Sequence, residues 1–174
     1  MTASYGNNGQ RVRVAYIDDQ LLFREALVNV FDASGSIMVA LSASHRREAL
    51  IELRDAKADS LLIGLDMQVN DPMATLREVR LLLPDLPVCA LVAVDRLERA
   101  REAIFAGCRG AVSTAASLTM LIAALQTVAA GQAYVDPTLG GRLLAKTIMR
   151  NAVRNMKQVA DGHLVTETSE ISKN

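Results

Sequence analysis

The chain alternates, five times over, between a short apolar run and a segment of helical periodicity, and that rhythm restricts its fold more than any other feature. Arg11 to Ile17 alternates, with Val12, Val14 and Tyr16 separated by Arg13 and Ala15, and stops at Asp18-Asp19. It reads as a strand whose end carries two acids. Leu21, Leu22, Glu25, Leu27, Val28 and Phe31 then fall at helical spacing, and Gly35 supplies a stop. Ile37 to Leu41 is a second apolar run, followed by Ser42 and Ser44 as N-cap candidates for a helix that turns Ala49, Leu50 and Leu53 inward. Ser60 to Leu65 and Val88 to Val94 are continuous apolar runs of the kind buried on both faces of a parallel sheet. Between them a helix starts at Pro72 and ends at Leu83. A helix from Leu97 to Ala106, a very short strand from Gly110 to Val112 and a helix from Leu118 to Ala130 complete the series, with Gly107 and Gly131 closing the two helices. Right-handed helical crossovers between short strands dictate a parallel sheet with helices on both faces. The expected fold is a doubly wound, five-stranded parallel α/β sheet with an added C-terminal helix. In such sheets functional groups gather beyond the carboxyl ends of the strands, where the strand order reverses, and Asp18 and Asp19 stand at one such end.

Hydrophobic residues make up 51% and charged residues 22%, which excludes a wholly disordered or collagen-like chain. The 174 residues suit one core with an appendage. Nineteen Lys and Arg balance nineteen Asp and Glu, so the whole chain lacks the cationic excess of a dedicated nucleic-acid binder. No apolar run approaches the roughly 18–20 residues of a membrane span, and Met1 to Gln10 is polar, so a cytoplasmic protein without membrane contact is expected. Cys89 and Cys108 stand apart and read as small core residues, not as a disulfide or a zinc site. His45 and His163 have no partner at triad or metal-ligand spacing, and no catalytic residue is expected.

Three segments carry a resemblance. Ile17-Asp18-Asp19-Gln20-Leu21-Leu22-Phe23-Arg24-Glu25-Ala26-Leu27, Ala106-Gly107-Cys108-Arg109-Gly110 and Gly131-Gln132-Ala133-Tyr134-Val135-Asp136-Pro137 follow in order over about residues 11 to 140. Together they resemble the receiver domain of response regulators of the NarL/FixJ (LuxR-type) class, which implies a flavodoxin- or CheY-like (βα)5 fold. Members of that family accept a phosphoryl group from a histidine kinase on an aspartate. Asp18 and Asp19 match the acid pair that holds Mg²⁺ there through hard oxygen ligands. The phosphoacceptor position falls on Gly64, counted back from Met67, and a glycine offers no nucleophile. The Thr/Ser that hydrogen-bonds the phosphoryl group aligns with Val92, the charge-neutralising Lys with Thr114, and the aromatic switch residue with Ala111. Acceptor, both phosphate ligands and readout are thus all replaced, the pattern of a pseudo-receiver. Asp66, two residues beyond Gly64, is the one acid that would rebuild a metal cluster with Asp18 and Asp19, or serve as an alternative acceptor.

From Thr138 to about Ala160 the chain changes character. Ala145, Met149, Ala152, Met156 and Val159 follow steps of four and three, as on a coiled-coil seam, and Ile148 and Val153 widen the stripe. Arg142, Lys146, Arg150, Arg154 and Lys157 lie along its flank with no acid between Thr138 and Ala160. The remaining fourteen cations face nineteen acids, a net −5, so the molecule is electrically asymmetric. The domain organisation expected is a disordered N-terminus (1–10), a receiver-like domain (11–131), a linker with a basic amphipathic helix (132–161) and a polar, disordered tail (162–174). No helix-turn-helix segment is recognisable, so direct DNA binding by this chain is not expected. The reading that follows is a non-enzymatic, phosphorylation-independent signalling module that acts by protein contact, through a homodimer or another regulatory protein. Two alternatives stand beside it: a Mg²⁺-dependent receiver with a rearranged acidic site, and a weak nucleic-acid contact by the basic helix.

Overall fold

The computed structural model describes residues 11–44 and 46–171. Among these residues six strands alternate with six helices: β1 (Val12–Ile17), α1 (Leu21–Ser34), β2 (Ile37–Ala43), α2 (Arg46–Glu52), β3 (Ser60–Gly64), α3 (Pro72–Leu82), β4 (Val88–Val92), α4 (Leu97–Phe105), β5 (Gly110–Ser113), α5 (Leu118–Ala129), β6 (Tyr134–Val135) and α6 (Pro137–Ile171). All pairings are parallel and the strand order is β2-β1-β3-β4-β5-β6, so the order reverses between β1 and β3. That reversal opens a crevice above the carboxyl ends of these two strands.

The period of two along each strand divides the core into two layers. Ala15, Ile17, Leu61, Ile63, Val88, Ala90, Val92 and Ala111 face α2, α3 and α4, meeting Leu53, Leu76, Val79, Ala100 and Ala103. Val14, Tyr16, Leu62, Cys89, Leu91 and Val112 face the other way, onto Phe31 of α1 and Leu121, Leu125 and Val128 of α5. Helix ends follow their local chemistry. The Asp71 carboxylate accepts from the Met73 N–H ahead of Pro72, Ser117 Oγ accepts from the Met120 N–H, and Gly35 ends α1 in the left-handed region at φ 68°.

The doubly wound parallel sheet agrees with the sequence expectation, with three corrections. The sheet has six strands, not five: the Tyr134 N–H donates to the Arg109 carbonyl and the Asp136 N–H to the Ala111 carbonyl, so the segment read as linker adds a two-residue edge strand. Ser42 lies inside β2 and caps nothing, because the strand continues in register with β1 as far as Ala43. Helix α6 runs from Pro137 to Ile171, past Asp161-Gly162 where the sequence reading ended it. A glycine inside a helix costs only about 1 kcal/mol and, unlike proline, leaves the hydrogen-bond ladder intact. The expectation of disorder at residues 1–10 and at the last three residues falls outside the described residues. The chain forms two compact units, one ending at Leu139 and the other beginning at Gly140.

Gly110 of β5 packs against Val128 of α5 and Cys89 of β4. A Cβ there would lie 2.7 Å from Val128 Cγ2 and 2.8 Å from Cys89 Sγ. Both neighbours belong to the close-packed α1/α5 layer, which has little room to give. Gly110→Ala is therefore expected to destabilise the fold by about 1–3 kcal/mol through overpacking, measured as a lower urea midpoint at unchanged m-value.

Candidate functional site

The crevice at the strand reversal is a cleft of about 300 Å³ lined by Asp18, Gln20, Phe23, Gly64, Asp66, Leu91, Ala93 and Thr114. Its floor is set by strand register. Ile17 pairs with Ile63, so the next residues stand side by side, Asp18 just past the end of β1 and Gly64 the last residue of β3. Asp18 is 2% exposed and its carboxylate lies over the glycine: a Cβ built on Gly64 would overlap Asp18 Oδ2 and sit 2.6 Å from Asp18 Cγ. The space that a side chain at position 64 would need is thus filled by Asp18.

Two donors hold the Asp18 carboxylate there. Buried Tyr16, two residues earlier and on the same face of β1, donates its hydroxyl to Oδ2 at 3.2 Å, and the Gln20 N–H donates to Oδ1 at 2.9 Å. Arg24 donates to the Asp18 backbone carbonyl. Burial pushes the Asp18 pKa up, the charge of Asp19 adds to the rise, and the Gln20 and Tyr16 hydrogen bonds with the positive charge of Arg24 oppose it. Burial, followed by the Asp18 charge, also raises the Tyr16 phenol, which stays a donor.

Asp19 turns away from the cleft. Its Oδ2 accepts from the backbone N–H groups of Gln68 at 2.9 Å, Val69 at 2.7 Å and Asn70 at 3.2 Å, in the loop between β3 and α3. Consecutive backbone N–H groups of this kind form an anion-binding concavity, and here the anion is the protein's own. Burial alone would raise the Asp19 pKa, but the donors from Val69, Gln68 and Asn70 outweigh it and hold the carboxyl below its ordinary value. Asp66 is engaged on a third side: its Oδ2 accepts from the Ala93 N–H at 2.6 Å and its Oδ1 lies 3.8 Å from Arg99, which also donates to the Leu65 carbonyl.

Of the residues singled out from the sequence, Asp18, Gly64, Asp66 and Thr114 share the cleft, while Val92 and Ala111 are packed in the α2/α3/α4 core layer. The three acids do not assemble into a metal centre. Each carboxylate has backbone or side-chain donors on it, and a guanidinium flanks Asp66, whereas Mg²⁺ requires unprotonated oxygens free to turn toward one point. Among the described residues no group of three His, Cys, Asp or Glu is placed to hold a metal ion. The donor set does not fit the divalent cation that the resemblance implies. Both cysteines are buried, and burial raises both thiols, that of Cys108 to about 12, so neither supplies a thiolate near neutral pH.

Sequence reasoning missed Tyr16, Arg99, the Gln68–Asn70 donors and Asp136. Tyr16 carried a usable signal, its spacing of two from Asp18. Asp136 is 1% exposed; its Oδ2 accepts from the Ser113 N–H at 3.1 Å and its Oδ1 from the Thr138 N–H at 2.7 Å, so it joins the end of β5 to the first turn of α6. The expected seam on α6 is exposed wherever its side chains are described: Ala145, Ile148, Met149 and Met156 face solvent, as do Arg142, Lys146, Arg150 and Arg154 on the flank. The side chains of Ala152, Lys157 and Val159 lie outside the described set.

Comparison with known proteins agrees with this architecture. The profile of the response regulator receiver domain matches residues 14–126. The chain is 25% identical over 136 residues to the response regulator GacA of Pseudomonas viridiflava, covering 78% of this chain and 64% of that one. It is 26% identical over 135 residues to the DNA-binding transcriptional activator DevR/DosR of Mycobacterium tuberculosis, covering 78% of this chain and 62% of the relative. The chain thus spans less than two thirds of the length of these relatives. Among solved structures, a LuxR-family two-component response regulator from Aurantimonas sp. SI85-9A1 superposes with TM-score 0.73 at 18% identity, over 80% of this chain and 99% of that one. The signal receiver domain of the NarL response regulator from Mycobacterium tuberculosis superposes with TM-score 0.63 at 27% identity, over 71% and 99%.

The Asp19 contact makes a pH-dependent prediction. Because its folded pKa is depressed, its stabilisation is fully present above the unfolded value of about 3.9 and is lost as pH falls through the folded value. Asp19→Asn, which keeps the shape but not the charge, is expected to cost about 1 kcal/mol at neutral pH after allowance for solvent screening. The gap between variant and parent in thermal unfolding should close as the pH is taken below 4.

Proposed function

The chain belongs to the response regulator receiver domain family, and from that premise we propose that it is a phosphorylation-independent member that signals by protein contact. The observation that carries this reading is the Asp18 carboxylate lying over Gly64. A receiver becomes phosphorylated when a carboxylate oxygen attacks phosphorus and a divalent cation offsets the charge on the phosphoryl oxygens. Here the acceptor position has no side chain, its space is taken by a neighbouring acid, and the carboxylates that would hold the cation are turned to other donors. Thr114 contributes a hydroxyl at the position of the charge-neutralising lysine, and Ala111 has no aromatic ring to rotate.

The cleft is held in one arrangement by the protein's own groups. Asp19 occupies the anion-binding loop after β3, and Asp66 ties that loop to the Ala93 N–H beyond β4. In this reading the domain is a fixed platform whose output is its surface: it neither hydrolyses nor transfers a group. Self-association is the contact the sequence favours, supported by the exposed apolar stripe on α6. Similarity to response regulators and transcriptional activators supports a setting in two-component transcriptional control, and no helix among the described residues is long and apolar enough to cross a membrane.

Native mass spectrometry with acetyl phosphate and Mg²⁺ tests the reading. The expected result is an unmodified, metal-free mass, and a phosphoryl adduct would overturn it. Gly64→Asp by itself is expected to remain unphosphorylated and to lower stability at neutral pH, because the new carboxylate meets Asp18 in a buried site.

A further inference from the structure

The outer face of α1 is anomalous for a surface helix. Buried Phe31 and half-buried Leu27 and Val28 fix which side faces the core, and the opposite side should be polar. Instead Leu22, Ala26 and Ala33 line it beside a single polar residue, Asn29, the four spaced by four, three and four, with Val30 at one border; all are exposed, and Leu22 is 82% so. Glu25 and Asp32, also exposed, follow the other border. Helix α6 carries the matching pattern with the opposite charge. Ala145, Met149, Val153 and Met156 form an exposed stripe, with Met149 at 72% and Met156 at 71%, and Lys146 and Arg150 follow one border.

We propose that α6 of one chain packs in parallel along the outer face of α1 of a second copy. This rests on the contact-module reading and names the surface that receives the helix. Three observations converge on a second copy. Both stripes are uncovered, both have the four-and-three spacing by which helices interlock, and their bordering charges are complementary. The direction follows from geometry. Viewed down each axis from its N-terminus, the acids of α1 border their stripe on one side and the cations of α6 border theirs on the other. Two helices laid face to face bring such borders together only when they run parallel. The flexible Met149 and Met156 side chains suit the shallow, small-residue surface around Ala26 and Ala33. An α6–α6 pair would bury the same stripe but bring no acid to the cations, since no acid occurs between Thr138 and Ala160.

Sedimentation velocity of the full chain at low and high salt, with four exposed charges as handles, tests the pairing. The chain is expected to self-associate, less so at high salt. E25K together with D32K should weaken association about tenfold or more, as should K146E together with R150E, and all four combined should restore most of it. Circular dichroism of each variant checks that the helices remain. Restoration by the fourfold exchange is specific to α1 against α6. A chain that stays monomeric at every concentration, or association indifferent to Glu25 and Asp32, would overturn the pairing. A monomer that takes no phosphoryl group from acetyl phosphate overturns the pairing alone, whereas a phosphorylated chain that still associates through these charges overturns the phosphorylation-independent reading alone.

Discussion

The parallel pairing of β1 with β3 sets Asp18 beside Gly64, and most of what distinguishes this receiver follows from that adjacency. A carboxylate leaving a strand end can turn into the crevice or toward solvent. With no side chain on its neighbour, Asp18 turns in and becomes almost fully buried. Burying a charge is costly unless hydrogen bonds compensate it, and the compensation comes from the chain's own Tyr16 hydroxyl and the Gln20 N–H. A hydroxyl two residues upstream on the same strand is the cheapest donor to supply, since the strand period already places it on the correct face.

The other two acids are settled by the same need for donors. Asp19 meets three consecutive backbone N–H groups of the β3–α3 loop, and Asp66 meets the Ala93 N–H beyond β4. Each contact ties one strand end to another: β1 to the loop after β3, and that loop to the end of β4. Further along, Asp136 ties the end of β5 to the root of α6, and Leu139 beside it is wholly buried. Four aspartates thus brace the carboxyl edge of the sheet, using charge-assisted hydrogen bonds from backbone N–H groups.

How much of this was legible in the sequence depended on whether the signal was local. The strands of the sheet interior and their helices were, because continuous apolar runs and glycine stops are written within a few residues of the structure they cause. That β3 ends on a glycine was legible too, because the motif spacing placed Gly64 there. Strand β6 was not, since two residues without alternation carry no periodic signal and the strand exists only because β5 offers free backbone groups. Ser42 misled because a serine has the same composition signal at a cap and in a strand, and the register with β1 decides. The fates of Asp19 and Asp66 were illegible for a related reason: their partners are backbone N–H groups 49 or 27 residues away, and backbone donors have no letter in a sequence.

Charge distribution then explains why a neutral chain carries such unequal parts. Nineteen cations balance nineteen acids overall, yet the α6 segment holds five of the cations and no acid up to Ala160. Its described apolar side chains from Leu144 to Met156 are mostly exposed, and an isolated helix of modest propensity is marginal in water. Like charges along one flank make it more so, since repulsion between cations three and four residues apart opposes the helix. Such a segment is stabilised most by a surface that offers both apolar contact and acids. The outer face of α1 has both, its acids lying on the side of the helix away from Phe31 and the core.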